Sequence, residues 1–107
     1  TVLRHLRKTR FAPGNSASAR RQARRIADYL KEEYGARVIG IGSLFGPYRQ
    51  FRKESDIDLV AEGIPPSEFF RASARAAEMT EFKLDLIPLE SANPLLKQRV
   101  AEEGIEL

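Results

Sequence analysis

Apolar side chains recur at helical spacing over residues 16–34 and predict an amphipathic helix there. In SASARRQARRIADYLKEEY they fall three or four positions apart, so they form one stripe and leave the arginines on the other faces of the helix. Asn15, Ser16 or Ser18 is suited to cap the start of this helix, and Gly35 its end. The residues of the apolar stripe are Ala19, Ala23, Ile26, Ala27 and Leu30.

Three short segments have the apolar content or the alternation typical of strands. They are residues 37–42 (RVIGIG), 56–61 (DIDLVA) and 82–89 (FKLDLIPL). Residues 43–55 lie between the first two segments and are predicted to form a helical turn and a polar loop. Alternation puts most apolar residues of the second and third segments on one face, and their aspartates on the other face together with Val60 and Ile87.

Two more helices are predicted in the second half of the chain. One covers residues 67–79, with Ser67 as a plausible N-cap, and the other starts at Asn93-Pro94 and ends at Gly104. The element order is helix, strand, strand, helix, strand, helix. It predicts an α/β (α+β) fold in which helices flank a small mixed β-sheet. We assign residues 15–107 to this domain and residues 1–14 to a basic N-terminal arm.

The composition is that of a single globular domain. The chain has 107 residues, of which 42% are hydrophobic and 31% charged. It has no cysteine, which excludes disulfides and thiolate metal sites. No apolar run approaches the length of a membrane span, and the basic N-terminus lacks the apolar stretch of a signal peptide. We therefore expect a cytoplasmic protein with no membrane partner.

Charge is distributed unevenly along the chain. Residues 1–53 contain 13 Lys or Arg and 3 Asp or Glu, a net charge of +10, whereas residues 54–107 contain 5 and 12, a net charge of −7. This asymmetry suggests an anionic partner for the first half: a phosphate ligand, a nucleic acid or an acidic protein surface. The arginines of the first predicted helix are candidates for such a surface, although a solvated helix face explains them equally simply.

Asp56 and Asp58 are candidate metal ligands. Residues two apart on a strand project from the same face, with Cα atoms roughly 6–7 Å apart. Two carboxylates held that close repel each other unless a cation lies between them, and Mg²⁺ or Mn²⁺ prefers such oxygen ligands. Asp85 interrupts an apolar run, and it joins the pair if its strand neighbours theirs. The alternative is a solvated strand edge with no ligand.

Gly42 and Ser43 end the first predicted strand and are suited to bind phosphate. Glycine allows the backbone to approach a phosphate closely, and the Ser43 hydroxyl adds a donor. The following loop supplies Arg49, Arg52 and Lys53, whose charges can neutralise a triphosphate. A simple turn followed by a solvated loop is the alternative.

Taken together, these residues resemble the minimal nucleotidyltransferases (MNT) of the DNA polymerase beta superfamily. The resemblance covers roughly residues 20–107. It consists of Gly42-Ser43, a loop, Asp56-Ile57-Asp58 on a strand, and Asp85 on a later strand. It implies Mg²⁺-dependent transfer of a nucleoside monophosphate, AMP from ATP, with Asp56, Asp58 and Asp85 as metal ligands and catalytic residues. Gly42, Ser43, Arg49, Arg52 and Lys53 would bind the nucleotide.

The resemblance also implies a partner. Small MNT proteins often act as antitoxins of HEPN-type ribonuclease toxins, and some add AMP to a tyrosine of the toxin. We therefore expect a HEPN-type toxin as the partner and one of its hydroxyls as the acceptor. Two other functions stay open: an antitoxin of the same fold that acts by binding alone, and a nucleic-acid-binding module that uses the basic half.

Overall fold

A computed structural model describes residues 15–42, 44–45 and 57–107 of the chain. Within these ranges, three α-helices and a four-stranded sheet follow the predicted order, with a 3₁₀ turn and a short last strand added. The elements are α1 (Asn15–Tyr34), β1 (Arg37–Ile41), β2 (Ile57–Glu62), α2 (Pro66–Ala77), β3 (Leu84–Pro88), the 3₁₀ turn (Leu89–Ser91), α3 (Pro94–Glu103) and β4 (Ile105–Glu106).

The sheet is mixed, as predicted, and its strand order is β3-β2-β1-β4. β1 pairs antiparallel with both β2 and β4, whereas β2 and β3 are parallel. The parallel pair requires a crossover, and α2 provides it. β3 lies at an edge of the sheet. Its last residue, Pro88, has no N–H to donate, and an edge strand tolerates this because one of its sides pairs with no other strand.

Helices cover both faces of the central strands. On one face, the α1 stripe is fully buried against Val38, Ile57 and Leu59. On the other face, β1 and β2 contribute Ile39, Ile41 and Val60, against which the 3₁₀ turn and α3 pack. Burial on both faces explains why RVIGI reads as a nearly continuous apolar run instead of alternating.

Local signals at the helix ends were largely correct. Gly35 has a φ of 65°, and its N–H donates to the Lys31 carbonyl at 2.8 Å, which closes α1 with a left-handed cap. Asn93 caps α3 by accepting from the Leu96 N–H at 2.8 Å. The Ser67 cap was wrong: α2 begins one residue earlier, at Pro66, and its N-cap residue makes no side-chain bond. Proline at the first helical position fixes φ and needs no donor there.

The short strand β4 was not predicted, because two residues carry no periodicity. Tertiary contacts hold it: Arg37 bonds Glu106 at 2.9 Å, and the Leu107 N–H donates to the Val38 carbonyl at 2.9 Å. The bond to Glu106 is the largest of the effects that raise the pKa of Arg37. Among the helices of the described segments, none combines the length and apolar character that a bilayer crossing requires.

Gly40 leaves room for the Phe45 ring, which packs over β1. A Cβ at Gly40 would lie 2.7 Å from two ring carbons. We expect Gly40→Ala to lower the free energy of unfolding by about 1–3 kcal/mol through overpacking. Urea denaturation of Gly40→Ala, Phe45→Leu and the double variant checks this. The double variant should be less unstable than the sum of the two single changes; strict additivity would contradict the contact.

Candidate functional site

Gly42 directly follows β1 and has a backbone conformation that favours glycine, with a φ of 88°. Its carbonyl accepts a hydrogen bond from the Phe45 N–H at 3.2 Å, which makes a tight turn after the strand. A Cβ at Gly42 would lie 2.5 Å from Oδ2 of Asp58. The missing side chain therefore lets a carboxylate rest directly against the backbone.

Asp58 lies where β2 meets this turn. It pairs with Ile41 of β1 on one side and with Asp85 of β3 on the other. Its neighbours Ile57 and Leu59 are fully buried on the α1 face, so alternation turns the Asp58 carboxylate to the opposite face. There it is half-buried, which suits a group that meets a ligand at the rim of a core.

Asp85 stands directly beside Asp58, on the neighbouring strand. Neighbouring strands are about 4.8 Å apart, and paired residues of parallel strands project from the same face. The predicted juxtaposition of these two carboxylates is therefore present. Its predicted apolar setting is not: Asp85 is exposed on an edge strand, because Leu84 and Leu86 point to the opposite face and pack against the core.

The other predicted site residues lie outside the described parts of the chain, so their assignments stay predictions. They are Ser43, Arg49, Arg52, Lys53 and Asp56. Within the described residues, no group of three His, Cys, Asp or Glu side chains is arranged to hold a metal ion. Asp58 and Asp85 provide carboxylate oxygens, which are the ligand type that Mg²⁺ and Mn²⁺ prefer.

Sequence reasoning did not identify the supports of the Gly42 turn. Leu44 and Phe45 are buried in the core, and Nε of Arg20 donates to the Leu44 carbonyl at 3.1 Å. These contacts tie the turn to α1. The sequence did carry a signal for this burial. Two large apolar side chains follow closely after the strand, whereas a solvated phosphate-binding loop would be expected to be polar.

No known protein-family model matches the sequence, and no curated protein matches it. Solved structures do share its fold. One is the MntA–HepT toxin–antitoxin crystal structure, with a TM-score of 0.59 and 21% identity over 81% of this chain and 69% of that one. Another is a toxin–antitoxin structure with AMP-PNP, with a TM-score of 0.65 and 20% identity over 78% and 70%.

A third structure is the tri-AMPylated HEPN toxin of Shewanella oneidensis in complex with its MNT antitoxin. The TM-score is 0.55, with 20% identity over 81% of this chain and 69% of that one. At these identities the similarity shows the fold alone. This chain has an MNT-like fold, in which helices flank a mixed sheet, and this confirms the predicted fold class.

The Gly42–Asp58 contact predicts a specific effect of a single methyl group. Gly42→Ala should destabilise the fold by about 1–3 kcal/mol and displace the Asp58 carboxylate, since the added Cβ clashes with Oδ2 and stands on a backbone conformation that is unfavourable for alanine. Gly35→Ala is the matched control: its φ is also positive, at 65°, but nothing lies within 4 Å of the added Cβ. We expect it to lower stability by about 1 kcal/mol without affecting metal binding.

Denaturation and Mn²⁺ titration calorimetry of both variants, and of Gly42→Ala/Asp58→Ser, separate strain from clash. The shorter serine side chain should recover part of the lost stability. Equal losses in Gly42→Ala and Gly35→Ala, with no recovery in the double variant, would show that the carboxylate contact has no effect on stability.

Proposed function

We propose that this chain is a nucleotidyltransferase that moves AMP from ATP onto a hydroxyl of a partner protein, as the antitoxin of a HEPN-type toxin. The observation that carries the proposal is the alignment of Asp58 with Asp85, with the Asp58 carboxylate resting against Gly42. Two carboxylates side by side at the end of a sheet, beside a glycine turn, form the kind of site that metal-assisted phosphoryl-type transfer requires.

The metal ligands in this proposal are Asp56, Asp58 and Asp85. Two observations fit a metal there: the carboxylates of Asp58 and Asp85 project from the same face of adjacent strands, and Asp85 is open to solvent. A bound Mg²⁺ would neutralise charge on the phosphates of ATP. Asp58, fixed by its contact with Gly42, provides the rigid side of the site, and Asp85 provides the accessible side.

We assign nucleotide binding to Gly42, Ser43, Arg49, Arg52 and Lys53. Gly42 presents backbone without a side chain, and the three cations follow it in the sequence. Arginine and lysine bind phosphate oxygens through charge-assisted hydrogen bonds. The assignment of Ser43 and of the loop cations rests on the sequence pattern.

The reaction is a direct displacement. The acceptor oxygen bonds to the α-phosphorus of ATP, the bond between that phosphorus and the pyrophosphate oxygen breaks, and pyrophosphate leaves. The hydroxyl proton passes to a carboxylate, for which exposed Asp85 is the accessible candidate, and then to water. Transfer of this kind depends on positioning and charge neutralisation, so it needs neither a cysteine nor a histidine nucleophile.

The partner is proposed from the shared fold. Structures of this fold include a toxin–antitoxin structure with AMP-PNP and an AMPylated HEPN toxin in complex with its MNT antitoxin. A protein acceptor also suits a domain of this size, since the partner supplies the second half of the binding surface. We further propose that residues 15–107 form the catalytic domain, with residues 1–14 as a separate basic arm.

Incubation with Mg-ATP and the candidate toxin should add the mass of one or more AMP units to the toxin, measured by intact-protein mass spectrometry. Asp58→Asn should lower the rate by at least about a hundredfold, because it removes a ligand of a metal that contributes several kcal/mol to catalysis. Glu68→Gln is the matched control, an isosteric change of a carboxylate on α2, and should leave the rate unchanged.

Two results would overturn the enzymatic proposal. If wild type and Asp58→Asn neutralise the toxin equally with no mass added, the chain acts by contact alone. If the chain instead binds RNA or DNA tightly and does not bind the toxin, the chain is a nucleic-acid-binding module and the enzymatic proposal is wrong. Folding of each variant is checked by circular dichroism.

A further inference from the structure

Four arginines of α1 form one wall of a groove whose floor is apolar. The groove has a volume of about 750 Å³, and we call it the arginine groove. Its other lining residues are Phe45, Ile105 and Leu107. The arginines are Arg20, Arg21, Arg24 and Arg25, all exposed.

The floor of the arginine groove is held in place by the fold. Phe45 packs over Gly40, whose cross-strand partner is Ile105. Leu107 is buried, and its carbonyl accepts a hydrogen bond from Nζ of Lys31. Ile105 is the exposed part of the floor, with 44% of its surface accessible. A ligand therefore meets a preformed apolar strip beside a cationic wall.

Among the described residues, the arginine wall carries positive charge that no ion pair offsets. Nε of Arg20 bonds the Leu44 carbonyl, which fixes that side chain along the groove. Like charges one helical turn apart repel each other, so binding an anion relieves a repulsion that the free chain carries.

The apolar floor decides which anion fits best. A single-stranded nucleic acid would need an exposed aromatic face for base stacking, but Phe45 is 9% exposed, and Ile105 and Leu107 are aliphatic. The chain's own residues 1–14 carry Arg4, Arg7, Lys8 and Arg10 and no acidic residue, so charge disfavours them as the occupant. We propose that the arginine groove docks an acidic segment of a partner protein, with an aliphatic side chain seated on Ile105.

This surface is distinct from the candidate carboxylate site. The arginine groove lies on the side of the sheet covered by α1, whereas Asp58 and Asp85 project from the opposite face. Binding at the groove therefore requires neither nucleotide nor metal and does not depend on the proposed transfer reaction. A partner held there does not cover the face of the sheet from which Asp58 and Asp85 project.

Fluorescence anisotropy with labelled synthetic peptides, without nucleotide, tests the proposal. A short peptide of alternating glutamate and leucine should bind more tightly than one of glutamate and serine with the same charge. Arg21→Gln/Arg25→Gln should weaken binding of the first peptide by about tenfold. Arg71→Gln/Arg75→Gln is the matched control, because it removes two exposed arginines at the same spacing on α2, and it should leave affinity unchanged.

A second variant tests the floor. Ile105→Ser should lower affinity for the glutamate–leucine peptide to that of the glutamate–serine peptide, with the salt dependence unchanged, since it removes apolar contact and no charge. The proposal is overturned if neither peptide binds, if both bind equally, or if the two arginine double variants lose affinity equally. Tighter binding of a single-stranded oligonucleotide of equal charge, through the same arginines, would assign the groove to nucleic acid instead.

Discussion

Burial of both faces of β1 and β2 is the constraint on which the rest of this structure depends. Each central strand contributes apolar side chains to two cores, one beneath α1 and one beneath α3. Polar chemistry is consequently confined to the end of the sheet, because an ionised group farther in would be desolvated without compensation. Asp58 lies at that end, half-buried, where a ligand can reach it.

Two glycines make space for neighbouring side chains at this crowded end of the sheet. On the α1 side, Gly40 makes room for Phe45, and the ring becomes the floor of the arginine groove. On the other side, Gly42 makes room for the Asp58 carboxylate. Gly40 lies within β1 and Gly42 directly follows it, so one absent side chain admits an apolar ring beside the strand and the other admits an anion at the turn. The same stretch of backbone thus supports both candidate surfaces.

The separation of the surfaces also matches the distribution of charge. The cationic wall of the groove comes from α1, in the basic half of the chain, whereas Asp58 and Asp85 of the candidate site come from the acidic half. The four arginines of the groove and the two aspartates occupy opposite faces of the sheet. These arginines therefore do not neutralise Asp58 and Asp85. One small domain can therefore bind a partner through charge on one face and carry out the proposed transfer reaction on the other.

Much of this protein was determined by local sequence. The buried stripe of α1, the Asn93 cap and the alternation in β2 are short-range patterns, and each predicts its element because periodicity and capping act within a few residues. The sequence also singled out Asp58 and Asp85. Tertiary structure alone decided that they stand side by side, that Asp85 is exposed, and that β4 pairs with β1 as an edge strand. It also gathered Phe45, Ile105 and Leu107 beneath four arginines, since pairing between distant strands leaves no periodic signal in the chain.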